Sequence, residues 1–336
     1  MLFRLLKRLR EAYERVLFKE VSKGKLPEHI AIIMDGNRRY ARLRGKPVYE
    51  GHKNGAKTTE MVLDTCSKLG IKTLTVYAFS TENFSRSYEE RKYILGLIEE
   101  KLRELLRDKR TYERKVRVSV IGDFSLLPES LRKTAKEVED ATAENNRLLL
   151  NIAIGYGGRR DLVGVVKKLA RKVETGELDV DDIDEEVVSN HLYAENGIVI
   201  PDVDLLIRTG GEQRLSNFLP WQTSGSESAT YFCSPYWPEF RKIDLLRAIR
   251  TYQRREIERE EKLFMRVMSI AKEWGVMEIE EGLEIYHSIL KKMRKKIISF
   301  SAPAVRPVSH SLVSRQPSPV AQSSCSGQED QQEKRH

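Results

Sequence analysis

The sequence predicts an α/β protein: a mostly parallel central sheet flanked by helices, with an amphipathic N-terminal helix and a disordered C-terminal tail. Three observations carry this. Five short runs are apolar on both faces, as strands covered on two sides are. Helical patterns lie between them, which parallel strands need as crossovers. Residues 298–336 are rich in Ser, Pro and Gln and poor in large apolar groups, the composition of a chain that cannot bury a core. The expected organisation is therefore a basic helix at 1–25, one domain with a C-terminal helical extension at 26–297, and a tail at 298–336.

Taken in order, Leu2, Leu5, Leu6, Leu9, Tyr13, Val16 and Leu17 recur at three- and four-residue spacing, with Arg4, Lys7, Arg8 and Arg15 falling largely between them. The charges break every apolar stretch and no small-residue cleavage site follows, so this is not a secretory signal. It reads either as a helix packed on the protein's own core or as an interfacial membrane anchor. From Pro27 the pattern alternates. Residues 29–34, 73–79, 116–122, 148–156 and 204–210 read as strands, and 52–69, 88–114, 129–145 and 158–175 as helices, the third opened by Pro128 in its first turn. A long charged helical region follows at 243–297. The acidic run at 179–186 precedes a short helix and is expected to cap it.

Composition narrows the function classes without choosing among them. The 59 Lys and Arg exceed the 50 Asp and Glu, for a net charge of +9, which suits phosphates, nucleic acid or acidic lipid. No nucleic-acid motif is present, and the first 25 residues hold eight basic and three acidic groups. The charge is therefore better assigned to phosphates and acidic lipid than to nucleic acid. Cys66, Cys233 and Cys325 lie far apart, which argues against a disulfide framework or a zinc site and suits a reducing cytoplasm. No run approaches the length of an apolar membrane span.

The chemistry concentrates where strands end. The first run stops at Asp35, followed by Gly36, Asn37, Arg38 and Arg39. A carboxylate and a permissive backbone at the sheet's carboxyl edge, with helix amides following, describe a Mg²⁺-diphosphate pocket in which Arg38 and Arg39 neutralise the remaining oxygens. The competing reading is a strand-to-helix turn with Asp35 as N-cap and solvated arginines. A second cluster, Ser80, Thr81, Glu82, Asn83, Phe84 and Arg86, follows the second run; a third, Arg208, Gly210, Gly211, Arg214 and Ser216, follows the fifth. Arg208, Arg214 and the hydroxyl form a plausible second diphosphate clamp, because guanidinium forks match phosphate oxygens in pairs.

The strings HIAIIMDGNRRYA, GHKNGAK, TVYAFSTENFSRS, NIAIGYGGRRDL and DLLIRTGGEQRLSNFLPWQ closely resemble signatures of the cis-prenyltransferases, the undecaprenyl and dehydrodolichyl diphosphate synthase family, over about residues 26–255. That resemblance implies the family's parallel-sheet fold, a homodimer and a catalytic domain. It implies an enzyme that condenses isopentenyl diphosphate repeatedly with an allylic diphosphate, forming a cis double bond each time, the product serving as precursor of a glycan carrier lipid. By position, Asp35 resembles the acid that engages Mg²⁺ on the allylic diphosphate, with Gly36, Asn37, Arg38 and Arg39 on its oxygens and Tyr40 nearby. His52 would assist diphosphate binding or departure. Ser80, Thr81, Glu82, Asn83, Phe84 and Arg86 match the second motif, where Ser80 and Asn83 organise isopentenyl diphosphate and proton loss and Phe84 replaces a common Trp. Arg208, Arg214, Leu215 and Ser216 match the isopentenyl diphosphate clamp.

Two positions depart from the pattern. Bacterial members often carry Arg four residues before the motif histidine, where this chain has Val48, with Arg44 and Lys46 as nearby substitutes. Many members carry a metal-binding Glu six residues after a tryptophan; Glu227 keeps that spacing from Trp221 but has two extra residues before the next strand. An apolar tunnel is expected to shield the reaction, with Ile94, Leu95, Leu97 and Ile98 as candidate wall residues. A trans-prenyltransferase would need aspartate-rich DDxxD motifs in an all-α fold, and DVDDIDEE is not one. A non-catalytic partner subunit is the sharper alternative; retention of Asp35, Asn37, Arg39, His52, Asn83, Arg208 and Arg214 speaks against it. The expected location is cytoplasmic, with peripheral contact at the membrane face.

Overall fold

The structure is a computed structural model that describes residues 2–192, 199–224 and 228–273. Six strands form one sheet: β1 (His29–Ile33), β2 (Thr73–Ser80), β3 (Val116–Ile121), β4 (Leu148–Tyr156), β5 (Leu205–Arg208) and β6 (Ala229–Phe232). Their order is β3-β4-β2-β1-β5-β6, and every pairing is parallel. All strands therefore end at one edge, where a parallel sheet presents ligands.

The apolar runs divide between two cores because successive side chains point to opposite faces. Ile30, Ile32, Leu74, Val76, Val118 and Leu150 join the larger core, and Ala31, Ile33, Ile121, Ala153 and Leu206 the smaller. The larger core is covered by α1 (Leu2–Val21), α3 (Val48–Leu69), α4 (Tyr88–Arg107), α6 (Glu129–Ala141) and α9 (Lys242–Glu273). On the other face lie α7 (Gly158–Glu174) and α8 (Glu185–His191). Two short helices complete the set, α2 (Asn37–Leu43) and α5 (Lys109–Glu113).

Several expected boundaries move for local reasons. The helix expected at 88–114 breaks into α4 and α5 because the Asp108 carboxylate accepts from the Arg110 N–H at 2.9 Å and starts a new helix. That expected to reach 145 ends at Ala141, where the Thr142 hydroxyl donates to the Val138 carbonyl at 2.7 Å and accepts from Val118 N–H at 3.0 Å, tying the helix end to β3. Pro128 is the N-cap of α6 rather than a residue of its first turn. α3 begins at Val48, after Pro47, four residues earlier than expected. The fifth strand ends at Arg208 rather than 210, since Gly210 and Gly211 turn away with φ of 84° and 78°. The acidic run does cap α8: the Asp184 carboxylate accepts from Val187 N–H at 2.8 Å.

Both readings of the N-terminal helix find support in separate parts of it. Leu17 and Val21 are fully buried and Gln253 of α9 donates to the Val21 carbonyl, while Leu6 and Leu9 are 55% and 58% exposed and Tyr13 and Val16 continue the exposed stripe. No described helix is long and apolar enough to cross a membrane. The C-terminal part of the expected 243–297 helix, the 298–336 tail and Glu227 lie outside the described residues.

Candidate active site

The first cluster is built by a tight exit from β1. Gly36, not Asp35, is the N-cap of α2, with φ of 105° and no side-chain cap bond, so the N-cap reading of Asp35 does not hold. Only glycine fits there: a Cβ would lie 2.5 Å from Cδ1 of Tyr236 in a left-handed backbone. The Asp35 carboxylate is thereby free to bridge two arginines, Arg39 at 3.1 Å and Arg208 at 2.9 Å. Its backbone is fixed from β5, since Asp35 N–H donates to the Thr209 hydroxyl at 3.0 Å and that hydroxyl donates to the Asp35 carbonyl at 2.8 Å. Asn37 donates to the Met34 carbonyl at 3.4 Å, and its buried Oδ1 has no partner.

Arg208 joins the third cluster to the first. It is 4% exposed, and one of its terminal nitrogens donates to both the Ser216 hydroxyl and the Arg214 carbonyl while the other reaches Asp35. Arg214 itself is 68% exposed and pairs with Glu212 at 3.3 Å; Glu212 also faces Arg39 at 3.8 Å. Leu215 is exposed beside it. Tyr40 turns away from this group, under the Arg44 guanidinium at 4.5 Å. Arg44 is in turn held by Glu239 at 2.8 Å.

The second cluster reaches the first through a residue that sequence reasoning missed. Ser80 and Asn83 cap a 3₁₀ turn at Thr81–Ser85 reciprocally, Ser80 N–H donating to Asn83 Oδ1 at 3.2 Å. Phe84 packs edge-on against Phe79 at 5.0 Å. Glu90, in the first turn of α4, then gathers Arg86 at 3.0 Å, Arg38 at 3.6 Å and His52 at 3.6 Å. The available signal was its position four residues after Arg86, an ion-pair spacing on a helix; that Arg38 and His52 share it is a tertiary fact. Burial, with Arg86 adding to it, lowers the His52 pKa to about 4 despite Glu90, and Nε2 has no hydrogen-bond partner.

Behind this charged rim a cavity of about 210 Å³ runs between α3, α4 and the sheet. Asn37, His52 and Trp237 line it with Ala78, Ile94, Leu97 and Ile98, and Thr111 of α5 and Arg114 at that helix's C-cap stand among its lining. Three of the four expected wall residues are therefore in place. Leu95 is not: it points into the larger core.

A rim of carboxylate and arginines over an apolar cavity is an arrangement for a ligand with an anionic head and an apolar tail. Comparison with known proteins agrees. The model of a family described as putative undecaprenyl diphosphate synthase matches residues 33–260. The chain belongs to the cis-prenyltransferase family. It is 51% identical over 258 residues to a protein of Methanosarcina mazei, covering 77% of this chain and 87% of that one. It is 56% identical over 244 residues to one of Archaeoglobus fulgidus, covering 73% and 96%. Both relatives are named tritrans,polycis-undecaprenyl-diphosphate synthase (geranylgeranyl-diphosphate specific). A solved structure, lavandulyl diphosphate synthase from Lavandula x intermedia in complex with dimethylallyl diphosphate, superposes with a TM-score of 0.65 at 40% identity, covering 68% of this chain and 95% of that one.

The donor set of this cis-prenyltransferase bears on the metal. Among the described residues no three His, Cys, Asp or Glu side chains converge as a metal cage. Mg²⁺ does not need one, since it keeps several waters and is held by one or two carboxylates together with substrate phosphates. Asp35, at the rim between two arginines, fits that kind of site.

Proposed function

We propose that this prenyltransferase condenses isopentenyl diphosphate repeatedly onto an allylic diphosphate primer to make a long-chain cis-polyprenyl diphosphate, precursor of a glycan carrier lipid. The observation that supports this best is the meeting of Asp35, Arg39 and Arg208 at one sheet edge, beside an apolar cavity. Of farnesyl and geranylgeranyl primers, the relatives' printed specificity favours the latter.

In this reading the allylic C1–O bond breaks, the double bond of isopentenyl diphosphate forms a C–C bond to C1, and a proton leaves the resulting carbon skeleton as the new double bond forms. Gly36, Asn37, Arg38 and Arg39 hold the allylic diphosphate, and Arg208, Arg214 and Ser216 the other. Ser80 and Asn83 order the isopentenyl group for proton loss. His52 is neutral near pH 7, so it serves as a hydrogen-bonding group at the departing diphosphate rather than as a fixed charge. Asp35 would hold Mg²⁺, which when bound neutralises charge developing on the leaving group. The arginines contribute in the same sense, and most where that charge is greatest. The cavity takes the tail and excludes water from the reacting carbon.

The reading includes a homodimer and peripheral attachment, the second supported by the exposed Leu6, Leu9, Tyr13 and Val16 stripe on a basic helix. Its central test is incorporation of labelled isopentenyl diphosphate into butanol-extractable lipid with each primer, with Mg²⁺ or EDTA. Incorporation that needs Mg²⁺ and is lost in Asp35→Ala is expected. A folded wild-type chain that incorporates nothing, with lipid or detergent present, would return the choice to a partner subunit. Flotation with anionic liposomes tests attachment: loss on removing residues 1–20 is expected, and equal flotation discards it.

A further inference from the structure

The string Gly157-Gly158-Arg159-Arg160 opens α7 directly after β4 and has the makings of a phosphate cradle: glycines, arginines and a long helix's N-terminus. Its first amides are already in use. Gly158 N–H donates to the Asn217 carbonyl at 2.9 Å, and Arg159 N–H donates to Asn217 Oδ1 at 2.8 Å. The Asn217 amide nitrogen in turn donates to Glu82 Oε1 at 3.1 Å. One side chain thus ties the segment after β5 both to α7 and to the cluster after β2.

That segment has a backbone that needs holding. Ser216, Asn217 and Leu219 have φ of 49°, 59° and 47°, in the left-handed region that Asn tolerates better than other side chains do. Phe218 and Leu219 are fully buried, with Phe218 stacked on Tyr77 at 4.4 Å. Gly158 has no room for a Cβ, which would collide with the Pro220 ring, so α7 and the segment approach as closely as backbones can. The chain is gripped at Phe218 on one side and at Asn217 on the other. What it presents between Arg214 and Ser216 is the carbonyl and the hydroxyl that receive Arg208.

We infer that Asn217 is a positioning residue: it fixes Ser216 and the Arg214 carbonyl on Arg208, and so sets the geometry of the isopentenyl diphosphate half of the site. The inference rests on the functional reading above. The α7 N-terminus, on this view, anchors a loop and is not itself an anion site.

The test uses steady-state kinetics of the full chain with both substrates varied. Asn217→Gly relaxes the backbone while removing both side-chain bonds. Asn217→Asp keeps an oxygen for Arg159 N–H but sets a second carboxylate against Glu82. Each is expected to raise the KM for isopentenyl diphosphate about tenfold, leaving kcat and the primer's KM within about twofold. Adding Glu82→Gln to Asn217→Asp is expected to recover most of the loss, because the new side-chain amide donates where Asn217 did. Wild-type KM in both single variants overturns the inference, as does equal loss for both substrates without rescue, the pattern of general damage to the fold. If the wild-type chain uses no isopentenyl diphosphate, the functional reading fails and takes the inference with it.

Discussion

His29 begins β1 and His52 lies on α3 near the sheet's other edge, and burial lowers both to a pKa of about 4. Their partners separate them. His29, at the amino edge, is saturated: Nδ1 donates to the Pro201 carbonyl at 2.9 Å, and Nε2 accepts from Thr75 at 2.7 Å, whose hydroxyl accepts in turn from Asn151 at 3.1 Å. His52, near the carboxyl edge, lines the cavity with Nε2 unbonded and Glu90 at 3.6 Å, too far for a hydrogen bond. Counting hydrogen bonds therefore tells apart two groups with the same shift: His29 is held by its partners, and His52 is left open towards the cavity.

The contrast is sharpest if each histidine is removed. His52→Ala is expected to lower incorporation by roughly 10²-fold while changing Tm by only a degree or two, and a matched loss of Tm would break the comparison. At the other end the sign of the pH effect follows from the shift. A histidine whose folded pKa lies below its ordinary 6.5 binds fewer protons when folded, so its contribution is full above pH 6.5 and is lost as pH falls towards 4. Burial of neutral His29 accordingly predicts about 3 kcal/mol lost across that window. Urea melts of wild type and His29→Gln at pH 7 and pH 4 isolate it: the variant should lose about 3 kcal/mol less across the window, the share of His52 remaining, without altering activity per folded molecule at pH 7. The smallest effect expected is that of Glu90→Gln. The amide oxygen of that variant still accepts from Arg86, but the side chain no longer attracts Arg38 by charge, so the primer's KM should rise roughly three- to tenfold at unchanged Tm. No change in KM would remove Glu90 from the site.

Legibility followed the range of the forces involved. The apolar strands could be read because burial on two faces leaves few polar positions, and Asp35, Arg39 and Arg208 because they stand at or shortly after the ends of such runs. A helix after Gly36 could be read but its extent could not: NRRYARL is short, charged and nearly featureless, and it forms where Gly36 and Tyr236 meet. β6 is a four-residue, half-buried edge strand with little pattern to see. The break at Asp108 lies in a run of good helix formers, where one capping bond outweighs propensity. Asn217 bonds partners far away in sequence, and beyond the four-residue step from Arg86 to Glu90 no spacing announces the partners of either residue.

The cavity between α3 and α4 has a capacity, and capacity makes a mechanical demand. At about 210 Å³ it holds roughly eight or nine carbons, in proportion to the ~150 Å³ that accommodates benzene; a geranylgeranyl tail is longer. Across its flank Lys101 of α4 reaches Glu60 of α3 at 3.0 Å, an exposed pair worth ~0.2–1 kcal/mol. Burying one more isoprene unit releases ~4 kcal/mol at ~0.8 kcal/mol per carbon. On the function proposed above, a tail growing there would be its own wedge: each addition would supply more than that fastening resists, and the container would behave less like a ruler than like a sleeve.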